Sequence, residues 1–219
     1  MRTNFGIVIN SKQSAFGNLE SVFSHWSRAI NTYCKAYKGS DAPYYYNERA
    51  NLSFLTIASW CAGAIALEEY GTKKHTASGG TLKRGSSRCD LFISTGGVNF
   101  QIEAKQYWMP SHRREKRHKA SIAHAFHKAC DAAMANTESA ARVGCVFFVP
   151  WWKTSSEYKS DPEFHIRTEI QRYLSECADV WAWCFPKQAR KLKHRQSRGD
   201  NRIYPGIIIG MKAGKYFRA

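Results

Sequence analysis

Residues 89–106 read CDLFISTGGVNFQIEAKQ, and the reading of this stretch decides the fold. Its Thr95-Gly96-Gly97-Val98 centre predicts a hairpin. Two glycines tolerate the positive φ angles of a tight primed turn, and β-forming residues flank them on both sides. With Gly96 and Gly97 as the loop, Asp90 falls opposite Glu103, Leu91 opposite Ile102, and Ile93 opposite Phe100. Alternation puts Asp90, Glu103 and Lys105 on one face and Cys89, Leu91, Ile93, Ile102 and Ala104 on the other. Directly opposed residues have Cβ atoms roughly 4.5–5.5 Å apart, and two carboxylates that close repel by several kcal/mol at an effective dielectric of about 20. The pair therefore needs a cation between its members, or a proton on one of them. Mg²⁺, commonly held by one or two carboxylates plus phosphate and water, suits the first option. Lys105 adds an ammonium on the same face, placed to hold a nucleophilic water or to balance charge on a phosphate.

The competing expectation is an ordinary amphipathic hairpin whose polar face is solvated, with Lys105 neutralising Glu103. An acid-x-Lys match alone is weak: a second copy, Glu157-Tyr158-Lys159, lies in a polar stretch with no hairpin before it and reads as chance. Opposed acids, the Gly-Gly register and the flanking elements together favour the metal site at 90–105.

An acid at the start of one strand, here in RCDLFI, followed by an acid-x-Lys on the next, here in QIEAKQ, resembles the PD-(D/E)xK nuclease superfamily. The resemblance covers roughly residues 46–150, with Cys89 where the pattern has proline. It implies a restriction-endonuclease-like α/β fold with an αβββαβ core and a mixed central sheet flanked by helices. It also implies Mg²⁺, with Mn²⁺ as a substitute, bound by Asp90 and Glu103, with the Ala104 carbonyl contributing. Many members carry a further acid on the preceding helix, and Glu48, Glu68 and Glu69 are available. The stretch NERANLSFLTIASWCA has helical periodicity with Asn47 as cap and Glu48 in the first turn. A helix packed antiparallel to the next strand returns its N-terminus to the Asp90 end, which selects Glu48. Gln106 extends the motif but should point away from Lys105.

The 219-residue chain carries 33 Lys and Arg against 17 Asp and Glu, a formal charge of +16, so the expected partner is polyanionic, DNA before RNA. HRREKRHK (112–119) follows the strand that bears Lys105, and Arg113, Arg114, Lys116 and Arg117 are candidate phosphate contacts. Lys83 and Arg84, in the Gly/Ser-rich stretch before Asp90, are further candidates in an expected flexible loop (76–87) that could close over substrate. A second basic run occupies 187–202. Neither run has an apolar face for a membrane surface, and no apolar stretch is long enough to span one. The start lacks the apolar core of a secretion signal. Seven scattered cysteines without a C-x-x-C pair suit free thiols in a reducing compartment, so a cytoplasmic location is expected. His124, His127 and Cys130 fall at helical spacing without a fourth zinc ligand. No Walker loop, dinucleotide fingerprint or Ser/His/Asp arrangement is recognisable.

Organised along the chain, residues 1–45 read as an N-terminal helical segment and 46–150 as the nuclease-like core. Residues 151–219 read as a helix and strands that complete the same domain. Residues 16–38 have helical periodicity, and the GSDAPYYY linker offers tyrosines for the core or, alternatively, for stacking bases. The expected function is a metal-dependent DNA nuclease, with homodimers where both strands are cut. The alternatives are a non-catalytic basic nucleic-acid-binding protein and a module that targets an acidic protein.

Overall fold

The computed structural model describes residues 4–10, 14–75, 81–110, 115–136, 140–153, 162–190, 193–195 and 201–214. Side chains are left undescribed at 14, 75, 81–86, 115–116, 162–166 and 194–195 within those ranges. The 89–106 stretch folds as a hairpin of β3 (Thr81–Thr95) and β4 (Val98–Pro110). Gly96 and Gly97 have φ of 56° and 77°, as a primed two-residue turn requires. The ladder pairs Leu91 with Ile102, Ile93 with Phe100 and Thr95 with Val98, the register expected from the glycines.

Around this hairpin, α2 (Glu48–Cys61), β2 (Ile65–His75), β3, β4, α3 (Glu115–Met134) and β5 (Ala141–Lys153) follow in order. Before them come β1 (Phe5–Ile9) and α1 (Glu20–Ala36). After them come α4 (Pro162–Cys177), β6 (Val180–Cys184), β7 (Lys193–Arg195), β8 (Asn201–Ile203) and β9 (Ile207–Ala213). The sheet runs β1-β6-β9-β5-β4-β3-β2, with β7 and β8 attached at the far end of β5. Its pairs are antiparallel except β4 with β5, which run parallel from Phe100/Ala141 to Pro110/Trp151. The chain is thus α/β, with a mixed sheet flanked by helices.

Alternation along the strands builds two cores. Leu91, Ile102, Cys145, Phe147, Ala182 and Ile209 pack with Phe23, Trp26, Leu52 and Leu55 of α1 and α2. The opposite face offers Met109, Val146, Phe148 and Ile208 to Phe126 of α3 and Leu174 of α4. Because β5 is covered on both faces, its sequence is a continuous apolar run rather than an alternating one. A Cβ on Gly144 would lie 2.6 Å from the backbone nitrogen of Cys130; glycine there lets α3 rest directly on β5.

Two expectations change. The N-terminal segment contains a strand as well as a helix: β1 pairs with β6 at the sheet margin. Residues 81–87, expected as loop, belong to β3, and the β2–β3 ladder continues to His75/Thr81 after a register shift between Thr72 and Lys74. The basic run 112–119 is helical from Glu115 onward. The two late strands, β6 and β9, extend the main sheet. Among the described residues, no helix is long and apolar enough to cross a membrane.

Candidate active site at the open edge of β4

The β3–β4 ladder stops at Leu91/Ile102. One step further, where Asp90 and Glu103 would pair, the backbone of β4 loses β3 as its partner while β5 stays paired to it throughout. In a strand the N–H and C=O of one residue point the same way, so Ala104 and Gln106 present theirs to this vacated side. Buried backbone donors need acceptors, and carboxylates supply them. Asp90 Oδ2 accepts from the Ala104 amide at 2.8 Å, and Glu48 Oε2 from the Gln106 amide at 3.0 Å.

Glu48 reaches this position because Asn47 caps α2. The Asn47 side chain accepts from the Ala50 amide at 2.9 Å, which fixes Glu48 as the first helical residue over β4. Its other oxygen, Oε1, lies 3.7 Å from the Lys105 ammonium, which donates to the Ala104 carbonyl. Asp90, Ala104, Lys105 and Glu48 therefore form one polar group. Glu68 and Glu69 sit elsewhere: Ser53 donates to Glu68, while Glu69 pairs with Arg49 and Arg88.

Glu103 is 4% exposed and takes a different set of partners. Its Oε1 accepts from Lys74 Nζ at 2.7 Å and from Asn136 Nδ2 at 3.2 Å. Neither partner was foreseen. Lys74 arrives through the β2–β3 register shift, and Asn136 through a β-bridge to Lys74 just beyond α3. Only a helix cap or turn role could have been read for an asparagine after α3. Burial raises the Glu103 carboxyl above the ordinary carboxylate range; Lys74 opposes the rise and the Asp90 charge adds to it. Burial likewise raises Glu48, opposed by Lys105 and reinforced by Asp90. Three carboxylates thus share one field, and Asp90 disfavours the ionised form of both others.

Gln106 points to the α2 side, where its Oε1 accepts from Asn51 Nδ2 at 2.9 Å. Its buried Nε2 has no hydrogen-bond partner among the described residues. Arg117 is exposed on α3, and Lys119 is tied to Glu176 at 2.7 Å. Arg113 and Arg114, and the side chains of Lys83, Arg84 and Lys116, lie outside the described residues, as does the second acid-x-Lys copy at 157–159. His124, His127 and Cys130 do not form a metal group, and no cluster of three or more His, Cys, Asp or Glu close enough to hold an ion occurs among the described residues.

By donor type alone the residues suit a hard cation, although the three carboxylates do not converge as one group. Asp90, Glu103 and Glu48 supply carboxylate oxygens, and Ala104 supplies a carbonyl turned toward the vacated edge. Oxygen-only sets of this kind suit Mg²⁺ over Zn²⁺. Two ammonium groups now carry the neutralising charge, Lys74 on Glu103 and Lys105 beside Glu48. No family model, curated protein or solved structure matches this chain.

Proposed function

We propose that the chain is a divalent-metal-dependent nuclease with a restriction-endonuclease-like core, hydrolysing phosphodiester bonds in DNA. The observation that carries this reading is the meeting of Asp90, Glu48, the Ala104 carbonyl and Lys105 where β3 leaves β4. The order α2-β2-β3-β4-α3-β5 supports the same reading, as does the formal charge of +16.

Asp90, Glu103 and the Ala104 carbonyl would hold the ion, with Glu48 engaged through water. Such an ion polarises a phosphate and lowers the pKa of bound water. The chain's own contribution is orientation. Asp90 fixes the Ala104 peptide, and the Gln106 amide fixes Glu48. Lys105 would donate from Nζ to the oxygen of an attacking water, while Glu48 Oε1, 3.7 Å from that ammonium, limits where it sits. Arg117 and the neighbouring basic residues of the 112–119 run hold flanking phosphates. The same reading carries a cytoplasmic setting, in keeping with seven free cysteines, and a homodimer where both strands are cut.

A second reading, a nucleic-acid-binding protein without catalysis, is favoured by one observation: Lys74 already satisfies Glu103. Incubation of plasmid, linear duplex, single-stranded DNA and RNA with Mg²⁺, Mn²⁺ or EDTA separates the two. Metal-dependent product that disappears with Lys105→Ala is expected. Salt-sensitive binding without product on any substrate would leave the second reading in place.

A further inference from the structure

Three residues beyond Lys105, roughly 10 Å along the strand and on the α2 face that Gln106 occupies, β4 presents Trp108. Two residues before Glu48, the chain presents Tyr46. These side chains share a cavity of about 380 Å³ with Tyr45, Arg202 and Tyr204. The cavity and the candidate active site are therefore built on the same two elements, β4 and the entry to α2.

The walls are pre-organised. Trp108 meets Tyr204 edge-to-face at 5.5 Å between ring centroids, Tyr45 meets Tyr204 at 5.0 Å, and Tyr45 meets Trp108 at 6.2 Å. The Tyr46 hydroxyl donates to Asp41 at 2.6 Å, which holds its ring at the rim. Tyr44 and Tyr204 are both buried and belong to the core, with Tyr204 forming the inner wall of the cavity. Arg202 enters from β8 with its guanidinium 3.9 Å from the Trp151 ring centroid, and its buried Nε has no hydrogen-bond partner among the described residues. Tyr46 is 53% exposed and Trp108 38%. Large rings left open to solvent beside a cation are the components of a stacking site for bases of a polyanionic strand.

We propose that this cavity takes one unstacked base of the nucleic acid whose phosphate lies at Asp90 and Lys105, so that the preferred substrate contains a single-stranded segment. A paired base has both faces covered by its neighbours and cannot offer one to Trp108 or Tyr46 without leaving the stack. The volume lies near the lower end of the range for small-ligand pockets, which suits a single base. Arg202, facing the cavity, supplies charge for the adjoining phosphate. The placement beside a scissile phosphate rests on the nuclease reading; the base site itself does not.

The test is fluorescence anisotropy in EDTA with a fluorescein-labelled 12-nucleotide single strand, the blunt duplex of the same sequence, and a strand of the same length abasic throughout. Wild type should bind the single strand at least tenfold tighter than the duplex and lose about tenfold on the abasic strand, which has no base to stack. Trp108→Ala and Tyr46→Ala should each weaken single-strand binding five- to tenfold and change duplex binding less than twofold, with Trp108→Phe restoring most of the loss. Tyr46→Ala, at an exposed rim position, keeps the test valid if Trp108→Ala fails to fold. Equal losses on single strand and duplex, or no loss with either variant, would overturn the proposal. Selective binding without metal-dependent cleavage of any substrate would retire the nuclease reading and leave the base site standing. Cleavage indifferent to Trp108 and Tyr46 would do the reverse.

Discussion

The two halves of β4 share a neighbour on one side and differ on the other. From Val98 to Ile102 the strand is paired to β3, and from Phe100 also to β5. From Glu103 onward β5 remains, but β3 has moved away, and carboxylates from β3 and α2 take over the hydrogen bonds that a strand would have made. The first half needs nothing from solvent or ligand. The second gathers three acids, a carbonyl and two ammonium groups contributed by α2, β2, β3 and β4. Side-chain acceptors collect where the ladder ends because the backbone groups there have lost a strand partner.

The sharpest way to break this contrast is to remove the charges of the second half. Lys105→Ala or Glu103→Gln is expected to lower metal-dependent cleavage by about 10²–10³-fold, the typical loss for one electrostatic stabiliser. Binding to the same DNA in EDTA should stay within about threefold, since phosphate contacts on the basic surface are untouched. Full activity in both variants would place the chemistry elsewhere.

On the shared β5 side, where packing alone is at stake, Gly144→Val should destabilise without a specific effect on the metal site. Overpacking against the Cys130 backbone is expected to cost about 1–3 kcal/mol, read as a lower urea midpoint at unchanged slope. An unchanged midpoint would mean that α3 is free to lift from the sheet. Smaller still, Asn51→Ala removes the partner of the Gln106 carbonyl oxygen and should cost about 1 kcal/mol, with a further fall in cleavage if Gln106 helps to place β4.

Acidity sharpens the contrast through Glu48 and Glu103. Both carboxyls are raised in the folded chain, by burial first and by Asp90 in addition. The folded state therefore holds protons that the unfolded chain has already released. Their contribution to stability is fully present below the ordinary carboxylate pKa and declines as pH rises through the raised values. Mg²⁺ should reverse that decline, so its stabilising effect is expected to be greater near neutrality than at pH 5, measured as the shift in Tm. An Mg²⁺ shift independent of pH would separate these carboxylates from the ion.

Much of this was legible in the residues. Two glycines fixed the turn, the turn fixed the register, and the register brought Asp90 to the level of Glu103. Asn47 marked the start of α2 and so placed Glu48. What escaped were the long-range partners. Lys74 depends on a register shift within β2 and β3 that no local pattern encodes. Asn136 depends on where α3 ends against that strand. The aromatic cavity joins residues 45–46, 108 and 202–204, and only the sheet brings them together. Strand 81–87 looked like loop because glycine and serine carry no periodicity, and pairing with β2 supplied the order instead.

Electron paramagnetic resonance of Mn²⁺ titrated into the protein with a bound, uncleavable phosphorothioate strand tests for a divalent cation at the open edge of β4 without reference to turnover. Wild type should sequester Mn²⁺ at one site, Asp90→Asn should lose at least tenfold in affinity, and Glu157→Gln, in the chance copy of the motif, should match wild type. Equal Mn²⁺ binding by all three proteins would contradict a metal centre at Asp90.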